Sequence, residues 1–515
     1  MGSGRLTEFS GLNAEDAVVF MDLRSGKRWN NAAMLGARAI VFVGPESDVV
    51  AARNLFSIKY EPTPVDLPFF WLSEPEAERL MGEGFRERGP SALGACRLTS
   101  RAFWKRGEGR NVWVHIPGTD PELKDQLLIV QAFHDAGGWV AGASPGADQA
   151  ASAAALTEIA RMYAESPPGR SVLLVSVGAS AQAQLGMREF TQAFAVDKDV
   201  LEERREELRA RLEEAEKTLE LLEQEDPLSE TNLSDSETQE LLRKAYRKVV
   251  RDREDSLTSD LMRLRLLGKQ ADQKLIKSLA SRRMTLKRLQ WVQSTGGDVE
   301  LGAAEKELLR TFTPTIKRLE RRAVIDTREQ KADLESLFAL RDMVEGRPVA
   351  AHVALHLSSR GDAVGGFDKG WLYHLKPQVN RTRFFSGIHD VMTETARAQP
   401  ERLGKLYEGT LRPNAARSWQ SYLPDNPELG GEPMAIAGLP GFTLATLHDA
   451  RSSWHTPFDT PEKVNFEYLD RQSLLVRKLV GALSHEPLRR GQAWQEPLHH
   501  PDRTGAPPAQ GRDIS

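Results

Sequence analysis

The stretch from Asn111 to Gly178 limits the possible folds more than any other part of this chain. It begins with two apolar runs of strand length, NVWVHIP and LLIVQAF, separated by a turn at Pro117-Gly118. An alanine-rich run with helical spacing follows, and SVLLVSVG, residues 171–178, is apolar almost throughout, as in a strand buried on both faces. This succession of strand, helix and strand predicts an α/β layer fold with a largely parallel central sheet.

Composition and charge narrow the class of protein further. The chain has 515 residues, 40% hydrophobic and 28% charged, which is enough for two or three domains with substantial cores. Because 69 Lys and Arg stand against 73 Asp and Glu, the net charge is only -4 and nucleic acid is not an expected partner. The single cysteine, Cys96, excludes an intrachain disulfide and a thiolate metal cluster.

The N-terminus leads to an expectation about location. MGSGRLTEFSGLNAEDAVVF has no basic region followed by an apolar run, and no segment of the chain has the length and apolarity of a transmembrane helix. We therefore expect no signal peptide and no transmembrane segment. For the chain as written this favours the cytoplasm, and the compartment is otherwise left open. A strand-like run begins almost at once, at Ala17, which suggests a truncated or re-started N-terminus.

The apolar pattern predicts five regions. They are a small mixed domain at 1–100, the first part of the α/β domain at 101–195, a helical insertion at 196–346, the second part of the α/β domain at 347–486, and a disordered tail at 487–515. The sheet pattern resumes after the insertion with PVAAHVALHLSSRG, and YLDRQSLLVRKLVGAL predicts a closing amphipathic helix.

The insertion has the pattern of a coiled coil. Apolar residues recur every seven positions, with leucines between them, at Leu201, Leu208, Leu212, Ala215, Leu219 and Leu222. Two more helical runs follow, at about 236–292 and 303–344, and Pro314 predicts a break in the second. The segment up to residue 240 carries a net charge of roughly -11 and the next, up to 290, roughly +10, so we expect the two to pair.

The segment WHTPFDTPEKVN, residues 454–465, resembles the closing histidine motif of the di-zinc aminopeptidases, metallopeptidase family twenty-eight, which includes the glutamate carboxypeptidase and transferrin receptor relatives. The resemblance covers about 111–190 and 348–483, and it implies a three-layer α/β fold with a mixed, largely parallel central sheet. Region 1–100 resembles the protease-associated domain that many of these peptidases carry, which usually binds or covers and does no chemistry itself.

The resemblance also implies where the ligands of two zinc ions and the catalytic base would fall. Most of these positions hold residues that cannot do this chemistry: Phe133 replaces the first ligand histidine, Gln149 the bridging aspartate, Ser180 the general-base glutamate, Ala181 a ligand glutamate and Ser358 a later ligand aspartate. Asp135 retains the carboxylate that supports the first histidine, and His455 is the one retained ligand type.

This pattern indicates a degenerate member of the family, a pseudopeptidase that acts as a binding or scaffold module without a metal cofactor. We expect the coiled-coil insertion to bind a protein partner or to form a homo-oligomer. On this view Asp459 caps the following turn or helix, and His455 keeps an inherited hydrogen bond. The alternative is a metallopeptidase with a non-standard zinc site, for which His134, Asp148 and His356 are the candidate rescue ligands.

Overall fold

The computed structural model divides into two compact units, Met1–Ala195 with Met343–Ser515, and Val196–Asp342. It describes residues 2–44, 52–59, 67–99, 107–140, 142–266, 268, 272–289, 292, 300–344, 346–370, 372, 386–413, 417–424 and 428–488. The predicted tail at 487–515 lies outside the described residues except for its first two positions.

The first unit begins with a small three-stranded sheet. Its strands β1 (Val18–Asp22), β2 (Ala39–Val43) and β3 (Phe69–Leu72) are all parallel and lie in that order. Short 3-10 helices at Leu6–Phe9 and Leu23–Arg28 and helices α1 (Trp29–Met34), α2 (Ala52–Ser57) and α3 (Glu74–Met81) accompany the strands. β2 is buried along its whole length because it is the central strand.

A seven-stranded sheet forms the centre of the first unit. Its strands are β4 (Val112–Ile116), β5 (Leu127–Phe133), β6 (Ser171–Val177), β7 (Val349–His356), β8 (Ala363–Phe367), β9 (Tyr407–Leu411) and β10 (Gly441–Leu447), in the order β4-β6-β5-β7-β10-β8-β9. The four central strands are parallel, whereas β4 runs antiparallel to β6 and β8 antiparallel to β10. The predicted fold class, a mixed and largely parallel α/β sheet, is confirmed.

Helices cover both faces of this sheet. The helices outside the second unit are α4 (Ala151–Glu165), α5 (Leu185–Ala195), α12 (Ser386–Arg397), α13 (Glu401–Gly404), α14 (Glu432–Ile436) and α15 (Phe466–His485). On one face, Val130, Leu174 and Leu444 pack against Ile159 and Leu479 in a core with α4, α12 and α15. On the other face, α14 packs against β10 and α5. Two layers of helices around one sheet give the three-layer arrangement.

The second unit is helical. It comprises α6 (Lys198–Glu223), α7 (Glu230–Ser234), α8 (Ser236–Leu266), α9 (Gln273–Lys287), α10 (Ala303–Arg310) and α11 (Thr313–Val344, which runs two residues past the unit boundary). The heptad positions Leu201, Leu208, Ala215 and Leu222 are buried, whereas Leu212 and Leu219 between them are half-buried. The helical run at 303–344 is interrupted before Pro314, the second residue of α11.

Opposite charges meet within this unit. Glu216 of α6 pairs with Arg328 of α11 at 2.6 Å, and Glu214 of α6 pairs with Lys244 of α8. Leu201 and Leu208 pack with Leu334 and Phe338 of α11. The acidic helix α6 therefore contacts basic side chains of two helices, α8 and α11.

Among the helices that the structure describes in both units, none is long and apolar enough to cross a membrane.

A buried histidine of β7 makes the first unit sensitive to acid. His352 is fully buried, neither ring nitrogen has a hydrogen-bond partner among the described residues, and burial lowers its pKa to about 3. The unfolded chain protonates this ring below about pH 6.5. The free energy of unfolding should therefore fall as the pH drops from 6.5 towards 4, by up to about 1.4 kcal/mol per pH unit.

The variant His352→Leu should remove this part of the pH dependence, and chemical denaturation at several pH values measures it. Leucine is apolar and leaves no ring nitrogen to desolvate. His485→Gln is the matched control because His485 is exposed, and it should keep the wild-type slope. An unchanged slope in His352→Leu would show that other groups cause the acid sensitivity.

Candidate functional site

The residues implied by the resemblance lie at the carboxyl ends of β5, β6 and β7 and in the segment that follows β10. Phe133 is the last residue of β5, His356 is the last residue of β7, and Ser180 follows β6 by three residues. These three strands are parallel neighbours, so their carboxyl ends share one edge of the sheet. In open α/β sheets, ligands bind at this edge.

Three aromatic side chains pack together at this edge. The ring centroid of Phe133 lies 5.7 Å from that of His356 and 6.2 Å from that of Trp454, and His356 lies 5.3 Å from Trp454. Phe133 and Trp454 are buried, and His356 is half-buried. We call these three residues the aromatic cluster. Phe133 thus contributes apolar contact where the resemblance implies a metal ligand.

The carboxylate of Asp148, in the loop before α4, holds the aromatic cluster in place. One of its oxygens accepts a hydrogen bond from the backbone N–H of Ser359 at 2.7 Å, and the other accepts from the indole Nε1 of Trp454 at 2.7 Å. The side chain is buried. Asp148 therefore uses both oxygens to connect the loop before α4 with the end of β7 and with the closing segment.

Gln149 makes a second connection between the same loops. Its side-chain Nε2 donates to Oδ2 of Asp459 at 3.0 Å, while the backbone N–H of Asp148 donates to Oδ1 of Asp459 at 2.8 Å. Asp459 has no exposed surface, and burial raises the pKa of its carboxyl group although these hydrogen bonds oppose the shift. An amide suits this position because it can donate to a carboxylate, which a second carboxylate cannot.

The expectation that Asp459 caps the following turn or helix is wrong. Its partners lie in the loop before α4, and Asn465 caps α15 instead, with its side chain accepting from the N–H of Tyr468 at 3.1 Å. The carboxylate of Asp459 is buried against that loop, so it is not available to a helix end that begins seven residues later.

His455 lies at the same edge of the sheet, where it contacts the segment after β5. Its Nδ1 donates to the backbone carbonyl of Gly137 at 3.0 Å, and its own carbonyl accepts from the N–H of Trp139 at 2.9 Å. A Cβ atom on Gly137 would lie 3.0 Å from both the Nδ1 of His455 and the Cβ of Ala181. The absence of a side chain at Gly137 therefore leaves room for both Ala181 and His455.

The remaining candidate residues, Asp135, His134 and Ser358, lie just after β5 and β7. Asp135 accepts the N–H of Ser180 through Oδ2 at 2.9 Å, and its buried Oδ1 has no partner among the described residues. His134 is exposed, with Nδ1 2.9 Å from the hydroxyl of Ser176, as expected from the alternation of side chains along a strand. Ser358 is buried, and its N–H donates to the hydroxyl of Thr446 at 2.9 Å.

These positions do not combine into a cluster of metal ligands. Across the part of the chain that the structure describes, no group of three or more His, Cys, Asp or Glu side chains could hold a metal ion. Among the proposed rescue ligands, Asp148 accepts two N–H groups, His356 packs in the aromatic cluster, and His134 is turned to solvent.

Two residues of the closing segment have roles that the sequence did not reveal. Phe458 lies 6.4 Å from Phe56 and 6.2 Å from Trp71, ring centroid to ring centroid, within the core of the small sheet. Trp454 joins the aromatic cluster and Asp148. The only sequence signal for either role is a large aromatic residue in a segment that otherwise has the composition of a loop.

The comparisons with known proteins give distant matches among solved structures. No protein-family model matches the chain, and no curated protein matches it. A zinc aminopeptidase from Bacillus subtilis matches at 12% identity and a TM-score of 0.35, covering 95% of this chain and 77% of that one. An aminopeptidase from Aneurinibacillus sp. strain AM-1 matches at 12% identity and 0.32, covering 98% and 76%.

The gamma-secretase component nicastrin matches at 10% identity and a TM-score of 0.39, covering 94% of this chain and 69% of that one. At such values these structures are only distantly similar to the chain. The fold class rests on the strand order of the chain itself, and the properties of the site rest on its own contacts.

A carboxylate at position 149 should disrupt the loop before α4. Gln149→Glu would bring two carboxylates together in a buried place, and we expect it to lower the free energy of unfolding at pH 7 by about 2 kcal/mol or more. Adding Asp459→Asn should restore much of the loss, because the amide can then donate to the new carboxylate. Urea unfolding of the single and double variants measures this coupling.

Gln182→Glu is the matched control for charge, because Gln182 is exposed, and it should change stability little. If Gln149→Glu is as stable as the control variant, the hydrogen bond between Gln149 and Asp459 does not stabilise the fold.

Proposed function

We propose that this protein is a binding or scaffold module that keeps an aminopeptidase-like fold without metal-dependent peptidase activity. The observation that carries the proposal is the hydrogen bonding of Asp148 and Asp459. Their four carboxylate oxygens accept N–H groups from Ser359, Trp454, Asp148 and Gln149. The carboxylates at this edge of the sheet thus join segments of the chain to one another.

The chemistry of a two-zinc peptidase supports the same proposal. Such a site needs imidazole and carboxylate ligands around both ions and a free base for the attacking water. Gln149, at the bridging position, donates a hydrogen bond through its amide, and Phe133 presents a ring to Trp454. Ser180 has no useful basicity near neutral pH, and Ala181 has no donor atom.

Metal content and peptidase activity test this proposal. The purified chain should contain well below one equivalent of zinc after dialysis, measured by mass spectrometry of the metal. It should release no 4-nitroaniline from leucine 4-nitroanilide, with or without added zinc, cobalt or manganese. Two retained zinc ions, or hydrolysis that stops in the variant His455→Ala, would instead support a metallopeptidase with a non-standard site.

We further propose that the second unit is an arm for interaction with protein, either a partner or a second copy of the chain. The two ends of the unit lie together, because the guanidinium Nη1 of Arg341 donates to the backbone carbonyl of Val196 at 2.6 Å. The unit can therefore be removed and its ends joined with a short linker. The small parallel sheet, which resembles a protease-associated domain, fits a further binding role.

Deletion of 197–342 with a short Gly-Ser linker tests the arm. The remaining chain should unfold cooperatively, since its sheet and core lie in the other unit. Light scattering should give a mass above one chain for the full protein and the mass of one chain for the deletion variant. Equal association states for both proteins would contradict self-association through this unit.

A further inference from the structure

Helix α9 of the second unit carries charges of one sign only. Its fifteen residues, Gln273–Lys287, include no Asp or Glu. They include five basic residues, Lys274, Lys277, Arg282, Arg283 and Lys287. The other helices of eight residues or more in this unit carry both signs, and each contains an ion pair three or four residues apart, such as Lys217 with Glu213 in α6. The positive charges of α9 have no such partner within the helix.

One face of α9 packs inside the second unit. Leu279 and Leu286 lie in one core with Leu257 of α8. Arg283, which helical spacing places on the same face, pairs with Glu254 of α8 at 3.7 Å. The apolar side of α9 is therefore covered by its own unit, and the charge of Arg283 is compensated there.

The opposite face of α9 is exposed and carries uncompensated charge. Lys274, Lys277 and Arg282 are exposed, and none of the three forms an ion pair with a residue that the structure describes. The exposed side chains of Ser278 and Ser281 lie between them. We call this surface, made by Lys274, Lys277, Ser278, Ser281 and Arg282, the cationic face.

The charges of the cationic face do not stabilise the helix itself. Lys274 lies in the first turn, where the partial positive charge of the helix N-terminus makes a cation unfavourable. The adjacent carboxylate, that of Asp272, accepts the N–H groups of Lys274 and Leu275 as the N-cap. Lys277 follows Lys274 after three residues, and like charges at this spacing repel. Carboxylates of another molecule would relieve this repulsion.

We propose that the cationic face binds an acidic segment of another protein. This proposal rests on the proposed role of the second unit as an arm that binds protein, and it adds the chemistry of the partner. With fifteen residues, α9 is about 22 Å long, so a segment of similar length can place carboxylates opposite Lys274, Lys277 and Arg282. Because the side chains of Ser278 and Ser281 are short, the segment can lie close to the helix.

A protein fits this surface better than a membrane or a nucleic acid does. A helix that lies on a membrane buries its apolar face among the lipids, but that face of α9 is packed in the core of its own unit. Leu275 and Met284, at the two margins of the cationic face, are 43% and 45% exposed. Apolar side chains beside basic ones suit a protein interface, whereas the backbone of a nucleic acid is contacted by cations and polar groups.

A synthetic acidic peptide tests the proposal on the full chain. The peptide has fifteen residues, with glutamate and leucine in helical spacing and a fluorophore at one end, and fluorescence anisotropy measures its binding. It should bind the full chain at low salt and lose affinity as sodium chloride is added, because salt screens exposed charges. The same peptide with glutamine in place of every glutamate should bind about tenfold more weakly or worse.

Charge reversal on α9 provides the reciprocal test. The triple variant Lys274→Glu, Lys277→Glu and Arg282→Glu should lower the affinity for the acidic peptide about tenfold or more. Two of the three substitutions place acidic residues in the N-terminal half of the helix, where they interact favourably with its dipole. We therefore expect the fold to be kept, which circular dichroism checks.

The matched control is the triple variant Arg79→Glu, Lys124→Glu and Arg188→Glu. These positions are exposed and lie in the first unit, and the variant makes the same change in net charge. Because the cationic face stays intact, it should bind the acidic peptide nearly as the unchanged chain does.

Several results would overturn the proposal. Equal binding of the glutamate and glutamine peptides would do so, as would equal binding by the charge-reversal variant and its control. Duplex DNA and vesicles of phosphatidylcholine and phosphatidylserine are measured in parallel, and tighter binding of either one than of the acidic peptide would also overturn it. If the charge-reversal variant does not fold, the two peptides on the unchanged chain still decide the question.

These results can be told apart from a failure of the arm itself. The variant that lacks 197–342 tests whether the second unit mediates association. If that deletion abolishes association while charge reversal on α9 leaves peptide binding unchanged, the unit is an arm but the cationic face is not its binding surface, and the inference drawn from α9 is wrong.

Discussion

The edge of the central sheet depends on the hydrogen bonds that the buried carboxylate of Asp459 accepts. It accepts hydrogen bonds from Asp148 and Gln149, which lie 311 and 310 residues earlier in the chain. Because the carboxylate is fully buried, removal of either donor would leave its charge poorly compensated. The loop before α4 and the segment after β10 are therefore joined by this buried acceptor, together with the hydrogen bond from Trp454 to Asp148.

The segment from Trp454 to Asn465 connects four parts of the first unit. Trp454 reaches the ends of β5 and β7 through the aromatic cluster, Phe458 enters the core of the small sheet, and Asp459 holds the loop before α4. The N–H of Asn465 donates to the hydroxyl of Ser359 at 3.0 Å, and its side chain caps α15. A motif that resembles a catalytic element thus has an evident structural role in this chain.

The sequence predicts the fold class well because the buried strands are marked by continuous apolar runs. β6, with the sequence SVLLVSV, has the pattern of an inner strand and lies between β4 and β5. The partners of Asp459 could not be predicted, because they depend on contacts between residues more than 300 positions apart. The backbone conformation after β10 could not be predicted either. His448, Arg451 and His455 have positive φ angles of 58°, 46° and 62°, and no glycine stands at these positions to indicate such angles. Local patterns identify strands, whereas the site is made by loops.

A crystal structure of the protein grown with zinc, with an anomalous map at the zinc absorption edge, tests whether the carboxylates of Asp148 and Asp459 have a structural role. We expect no zinc peak at the edge formed by β5, β6 and β7. We also expect that the amide of Gln149 still donates to Asp459 and that the indole of Trp454 still donates to Asp148. A zinc ion bound by Asp148, Asp459 or His455, with either of these hydrogen bonds broken, would contradict a structural role for the carboxylates.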